Sequence, residues 1–222
     1  MTEAATTLAI LGGTGKEGKG LAFRWAKAGY SVIIGSREIH KAQNAADELN
    51  VLLGSRSVMG LDNVSAAQKA SLVVMTVPYS AHKSTLESVK DALQGKILVD
   101  VTVPLVPPKV TKVQMPPAGS AAQEAREILG ESVEVVDAFQ SISYEHLMQG
   151  NEVPCDVLVT GSTKEARLRV IKLVEDANLI GWDAGPIENS VVVEGLTSLL
   201  IYMNKQYGST HAGIKITGIS KA

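Results

Sequence analysis

The chain predicts an α/β fold, a doubly wound and mostly parallel Rossmann-type sheet with a short C-terminal helical segment. Three observations carry that expectation. Short apolar runs alternate with helical patterns along most of the 222 residues, the signature of a parallel sheet covered by helices on both faces. The first apolar run leads into Gly13-Thr14-Gly15-Lys16-Glu17-Gly18, a G-x-G-x-x-G turn between a strand and a helix. The second run, Val32-Ile33-Ile34-Gly35, ends on Ser36-Arg37, where a dinucleotide fold normally places a carboxylate.

Taken in order, Leu8-Ala9-Ile10-Leu11 reads as a buried strand, and Gly12 to Gly18 opens an amphipathic helix running through Arg24 to about Ala28. Gly13 is expected to allow the tight turn, Gly15 to let backbone approach a pyrophosphate, and Gly18 to let the helix lie close to the strand. The helix N-terminus then offers free N–H groups and partial positive charge to phosphates. After the strand 32–35, a carboxylate would hydrogen-bond the ribose hydroxyls of NAD and repel a 2′-phosphate. Ser36, Arg37 and Lys41 suit the phosphate of NADP instead.

Helix 38–50, a strand near 57–60, helix 64–70 and the apolar strand 72–77 continue the pattern. Pro78-Tyr79-Ser80 introduces a helix near 80–94, followed by strand 97–101. From Val103 to Ala118 five prolines exclude a regular element and stiffen an extended crossing loop. Its start, Thr102 and Pro104, lies at the C-terminal edge of a strand, where ligands bind in open α/β sheets, so the loop is expected to border the cofactor. Helix 119–130, strand 133–138, strand 156–160, helix 163–177 and strand 180–183 complete the sheet. Residues 187–207 read as one long apolar helix through Val191, Leu196, Leu199, Leu200 and Met203, too apolar to stand alone. The expected organisation is an extended dinucleotide-binding domain over 1–183 and a helical segment over 184–222 that closes the cleft and contributes to a homodimer.

Composition narrows the function classes. Hydrophobic residues make up 45% and charged residues 20%, the net charge is −2, and the basic residues are dispersed, which offers no field for nucleic acid or an anionic membrane. The start of the chain lacks a basic region followed by an apolar stretch, and no apolar run approaches a membrane span, so a cytoplasmic protein is expected. The single cysteine, Cys155, excludes an intrachain disulfide and is expected to be a buried structural thiol. His40, His82, His146 and His211 show no metal-ligand spacing, and no metal site is expected. His82 is expected to be exposed on its helix, Asp183 to cap, and Glu194 to sit in a dimer contact.

The sequence resembles the reductases that move hydride between NADP and the 5-deazaflavin coenzyme F420. The resemblance covers essentially the whole chain. It rests on residues 11–20, Gly35-Ser36-Arg37, Thr76-Val77-Pro78 and residues 155–161. The most specific part is Asp183-Ala184-Gly185-Pro186 followed by Asn189-Ser190, Glu194 and Leu196-Thr197. The runs 204–207 and 211–214 are also similar to the family.

The resemblance implies an NADP site built from Thr14, Gly15, Lys16, Glu17, Ser36, Arg37, Lys41, Val77 and Pro78, with the deazaflavin over the nicotinamide. The family usually carries a His where this chain has Gln140, near the deazaflavin. Gln donates and accepts hydrogen bonds but carries no positive charge.

Hydride transfer between two stacked rings requires no side-chain acid or base, so no catalytic residue is assigned and positioning is expected to dominate. Thr76-Val77-Pro78 and Thr102-Val103-Pro104 are expected to floor the nicotinamide, and Phe139, Gln140, Ser141, Ile142 and Ser143 to wall the partner ring. Gln140 leaves a second reading open, an NADPH-dependent reductase of a flavin, quinone, imine, ketone or metal complex. A third is a non-catalytic NADP(H)-sensing module. The cofactor preference has a direct test: in binding titrations, Arg37→Ala weakens NADPH by about tenfold to a hundredfold and leaves NADH nearly unchanged.

Overall fold

The computed structural model describes residues 6–149 and 153–221. Its eight strands form one sheet in the order β3-β2-β1-β4-β5-β6-β7-β8. The first half is built from β1 (Thr7–Leu11), α1 (Lys16–Lys27), β2 (Ser31–Ser36), α2 (Ile39–Leu53), β3 (Val58–Asp62) and α3 (Asn63–Lys69). Then follow β4 (Leu72–Met75), α4 (Tyr79–Leu93), β5 (Ile97–Asp100), α5 (Ala121–Leu129) and β6 (Glu134–Asp137). The chain continues through α6 (Tyr144–Gln149), β7 (Asp156–Gly161), α7 (Lys164–Asp176), β8 (Ile180–Pro186), a 3-10 turn (Ile187–Asn189) and α8 (Ser190–Tyr207). The doubly wound fold read from the alternation is therefore present, and the strand order reverses direction between β1 and β4. No helix among the described residues is long and apolar enough to cross a membrane.

The strands are continuous apolar runs because both sheet faces are covered. One core, around Ile10, Ile34 and Val74, is closed by α1, α2 and α7, with Trp25 and Phe139 meeting edge to face at 5.7 Å. The opposite core, around Leu11, Val73 and Leu98, is closed by α3, α4 and α5. Cys155 is buried in the first of these, as expected, and burial pushes its thiol up to about 11.

Four features depart from the expected organisation. The sheet is parallel except between β6 and β7, where Val136 pairs with Gly161 in antiparallel register. As for any antiparallel neighbour, the connection between them returns to the same end of the sheet. That connection contains α6, whose six residues are too few for a helical period to stand out. A Cβ on Gly20 would lie 2.5 Å from Leu147, so this glycine is what admits α6 against α1. Buried Arg24 then fixes the arrangement by donating to the carbonyls of His146 (2.7 Å), Leu147 (2.8 Å) and Ala177 (2.8 Å).

Second, β8 runs to Pro186, so the boundary expected at residue 183 falls within a strand. Third, His82 is fully buried rather than exposed, and Glu194, expected in a dimer contact, is buried inside the chain. Glu194 accepts from the main-chain N–H groups of Ala121 (2.7 Å) and Ala122 (3.0 Å), holding α8 against the start of α5. Asp183 pairs with Arg167 at 2.6 Å and accepts from Gly185 N–H at 3.0 Å, a local structural role.

Fourth, Gly12 rather than Gly13 makes the tight turn, with φ +70° in the left-handed region. Gly13 instead allows close approach, since its Cβ would lie 2.7 Å from the Ile10 carbonyl. Gly18 behaves as expected: a Cβ there would stand 2.6 Å from Gly13 Cα and 2.8 Å from Thr76 Oγ1. Gly18→Ala therefore forces backbone apart and should cost about 1–3 kcal/mol, a midpoint loss of roughly 3–10 °C in thermal unfolding for a chain of this size.

Candidate active site

The C-terminal ends of β2, β1, β4 and β5 lie side by side, so the sheet itself assembles the residues singled out in the sequence. Leu11 pairs with Gly35 on one side and Met75 on the other. The glycine turn is bound to both neighbours: Gly13 N–H donates to the Gly35 carbonyl at 3.2 Å, and Thr76 donates to the Leu11 carbonyl through N–H (2.9 Å) and hydroxyl (3.0 Å). Ser36 and Arg37 thus flank the turn on one side, and Thr76-Val77-Pro78 flank it on the other. The N-terminus of α1 has no side-chain cap, leaving its first N–H groups available to an anion. A Cβ on Gly15 would meet nothing nearer than 3.7 Å, so the space over this residue is open on the outside of the turn.

At the second strand end, Ser36 is nearly buried and its hydroxyl accepts from Glu38 N–H at 3.2 Å. Arg37 is exposed. Lys41 is held at 2.6 Å by Glu38, so the nearest carboxylate in sequence is already engaged by a cation.

Beside the turn lies a cavity of about 660 Å³, within the range of small-molecule sites. Glu17, Thr76, Val77, Pro78 and Thr102 line it, together with Gln140, Ser141 and Ile142. The loop after β5 borders it through Val103, Leu105, Pro107 and Val110. Pro104 lies in that loop without lining the cavity, and Phe139, with φ +77°, is turned into the core against Trp25.

Sequence reasoning missed part of the wall. Tyr79 and Tyr144 line the cavity, as do Thr197, Leu200 and Asn204 of α8 and Thr210 beyond it. Lys16 reaches across to the Tyr144 hydroxyl at 3.2 Å and lies 4.6 Å from the ring centre, bridging α1 and α6. The available signal was the apolar stripe of residues 187–207, which indicated closure of the cleft without saying by which side chains. The chain beyond α8 returns along β7, where the Ile214 carbonyl accepts from Asp156 N–H at 2.6 Å. A Cβ on Gly213 would lie 2.5 Å from that of Cys155, which explains why a glycine accompanies the cysteine.

Polar atoms in the wall have a stated purpose to fill. Gln140 Nε2 donates to the Asp100 carbonyl at 2.8 Å and to Asp137, and Thr197 donates to the Gln140 carbonyl at 2.9 Å. Gln140 Oε1 and Ser141 Oγ are buried without a protein partner. Such atoms cost stability unless a partner meets them. Behind Gln140, burial followed by the charges of Glu194 and Asp100 raises the Asp137 carboxyl well above its ordinary range.

Comparison with known proteins agrees with this geometry. The chain is 40% identical over 221 residues to the F420-dependent NADP reductase of Methanocaldococcus jannaschii, covering 96% of this chain and 98% of the relative. It belongs to the F420-dependent NADP reductase family. The Methanothermobacter marburgensis member is 37% identical over 220 residues, again covering 96% of this chain and 98% of the relative. Residues 7–104 match the family described as NADP oxidoreductase coenzyme F420-dependent. A solved structure from Arthrobacter sp. FB24 has the same fold, with TM-score 0.79, 24% identity, and coverage of 95% of this chain and 99% of that one. An imine reductase from Myxococcus stipitatus shares the fold at TM-score 0.63 and 17% identity, but only 63% of its chain is matched by 93% of this one. The family resemblance read from the sequence is thus borne out along the reductase's full length.

Glu17 has no hydrogen-bond or ion-pair partner among the described residues, and burial pushes its carboxyl up to about 8. A carboxyl whose folded value is raised contributes stability that is complete below its unfolded range and lost as pH rises through the folded value. Glu17→Gln should therefore unfold at the wild-type temperature near pH 5 and at a higher temperature than wild type at pH 9, as followed by circular dichroism.

Proposed function

We propose that this chain is an oxidoreductase that transfers a hydride between NADP(H) and coenzyme F420. The observation that carries the reading is near-full-length kinship with F420-dependent NADP reductases, joined to a glycine turn flanked by Ser36-Arg37 and by an apolar-walled cavity. A dinucleotide laid across the ends of β2, β1 and β4 spans those two flanks.

In this reading the 2′-phosphate is held by Ser36, Arg37 and Lys41, and the pyrophosphate lies over Gly15 and the Gly12-Gly13 turn against the N–H groups of Thr14, Lys16, Glu17 and Gly18, the Gly15 N–H itself donating to the Gly12 carbonyl at 3.3 Å. Thr76, Val77 and Pro78 with Thr102 and Val103 floor the nicotinamide, and Pro104 stiffens the loop above it. Gln140, Ser141 and Ile142 face the second ring, with Phe139 supporting that segment from the core. Two stacked rings supply the hydride donor and acceptor, and the protein supplies their alignment. Holding reacting carbons at ~3–3.5 Å can contribute several of the ~7–11 kcal/mol available from proximity. No side chain is assigned as a general acid or base, and no metal is required.

The enzyme is proposed to be a cytoplasmic homodimer. Val192 (63% exposed), Leu199, Met203 and Tyr207 (77% exposed) form an apolar stripe on the outer face of α8, of the kind a second copy covers. The activity is tested by mixing the protein with NADPH and oxidised F420 without air and following the deazaflavin's visible absorbance. Bleaching that falls sharply in Arg37→Ala is expected. NADPH binding without bleaching would overturn the choice of second substrate in favour of a flavin, quinone, imine or ketone.

A further inference from the structure

His82 is one of the most enclosed polar groups in the protein, with no exposed side-chain surface. Its Nε2 lies 2.6 Å from Asp100 Oδ2 and its Nδ1 3.4 Å from Glu124 Oε2, so both ring nitrogens face carboxylates. Only the imidazolium can donate to both at once. The other oxygen of Asp100 accepts from Thr102 N–H at 3.0 Å, and the Thr102 hydroxyl reaches the Val77 carbonyl at 3.4 Å. Tyr79, in the cavity wall, stacks on the imidazole with ring centres 6.0 Å apart at 28°. A chain of polar contacts therefore runs from α4 through His82 and Asp100 to the end of β5, and back to the end of β4.

We propose that His82 is a positioning residue, a charged brace that joins the loop 76–78 to the loop 101–104 and so holds the floor of the cavity at one height. The proposal rests on reading those loops as the nicotinamide floor. It goes beyond that reading by locating the alignment in a residue that touches neither substrate. The physical reason for a charged brace is that Asp100 and Glu124 converge on one point. With His82 protonated, opposite charges offset their repulsion and hold Asp100 with its free oxygen toward Thr102. With His82 neutral, one nitrogen loses its proton and one of the two carboxylates loses its donor, so the positive charge that holds Asp100 and Glu124 together is gone.

The groups facing His82 are Tyr79 from α4, Asp100 from β5, Glu124 from α5 and Glu194 from α8, with Asp137 behind them. Burial works against the charged ring, but the charge and hydrogen bond of Asp100, then Glu124, outweigh it and raise the imidazole above its ordinary value. The brace is consequently held to higher pH than an ordinary imidazole would hold it, and is lost as pH rises through that raised value.

Three variants test this with NADPH and F420 as substrates. His82→Gln keeps one donor and should lower kcat by about tenfold or more, since small misplacements are costly in hydride geometry. KM for NADPH should stay within about threefold, because the phosphate contacts are untouched. Glu124→Gln removes one carboxylate, lowers the imidazole's affinity for its proton, and should move the alkaline fall of kcat to lower pH. Unchanged kcat in folded His82→Gln, or an unmoved alkaline limb in Glu124→Gln, overturns the brace; if His82→Gln does not fold, the Glu124→Gln profile decides. Val103→Phe, which intrudes on the cavity, checks the floor separately. Should it leave kcat and KM unaltered, the floor reading fails, whereas its impairment beside normal His82→Gln and Glu124→Gln defeats the brace alone.

Discussion

Everything in the site depends on how closely one backbone turn approaches the next strand. Between β1 and α1 the chain must reverse within van der Waals contact of Thr76 and Val77, and no side chain fits at Gly12, Gly13 or Gly18 without moving main chain. This contact sets the position of the α1 N-terminus relative to the sheet edge. From it follow the direction in which free N–H groups point, the distance to Ser36 and Arg37, and the depth of the cavity beside Pro78. An open α/β sheet places a crevice where its strand order reverses; here the reversal between β1 and β4 coincides with the glycine turn, so the α1 N-terminus and the cavity lie at the same edge of the sheet.

Around that turn the protein accommodates an unusual quantity of buried polar chemistry. Asp100, Asp137, Glu194 and His82 are all removed from solvent. Burial of such groups is costly unless each is paired, and the pairing has an architectural consequence. Glu194 binds the start of α5 to α8, Gln140 bridges Asp137 and the end of β5, and His82 ties α4 to β5. Each contact joins a strand end or helix start that borders the cavity. Gln140 and Ser141, which line the cavity, each also keep one buried oxygen without a protein partner among the described residues.

Much of this was legible in the primary structure because it depends on local pattern. The apolar strands, the glycine turn and the Ser36-Arg37 end reveal themselves by composition and spacing, and their positions shifted by only a few residues in the fold. What escaped depends on contacts distant in sequence. His82 looks like an exposed helical residue because its partners lie 18 and 42 residues away. Glu194 looks like a surface acid because the N–H groups it accepts from are more than 70 positions distant. The short α6 and the antiparallel direction of β7 were hidden for the same reason, since α6 is admitted by a groove at Gly20 and its carbonyls are gathered by Arg24, remote in sequence.

The sequence by itself determined the fold class, the glycine turn and the basic rather than acidic end of the second strand, because each is written in residues adjacent along the chain and follows from backbone sterics and local charge. Only the tertiary structure decided which residues enclose the cavity and which carboxylates share a proton donor. Those properties arise when strand ends and helix starts from remote segments converge at one edge of the sheet. Burial there turns ordinary Asp, Glu and His side chains into groups whose charge depends on their neighbours.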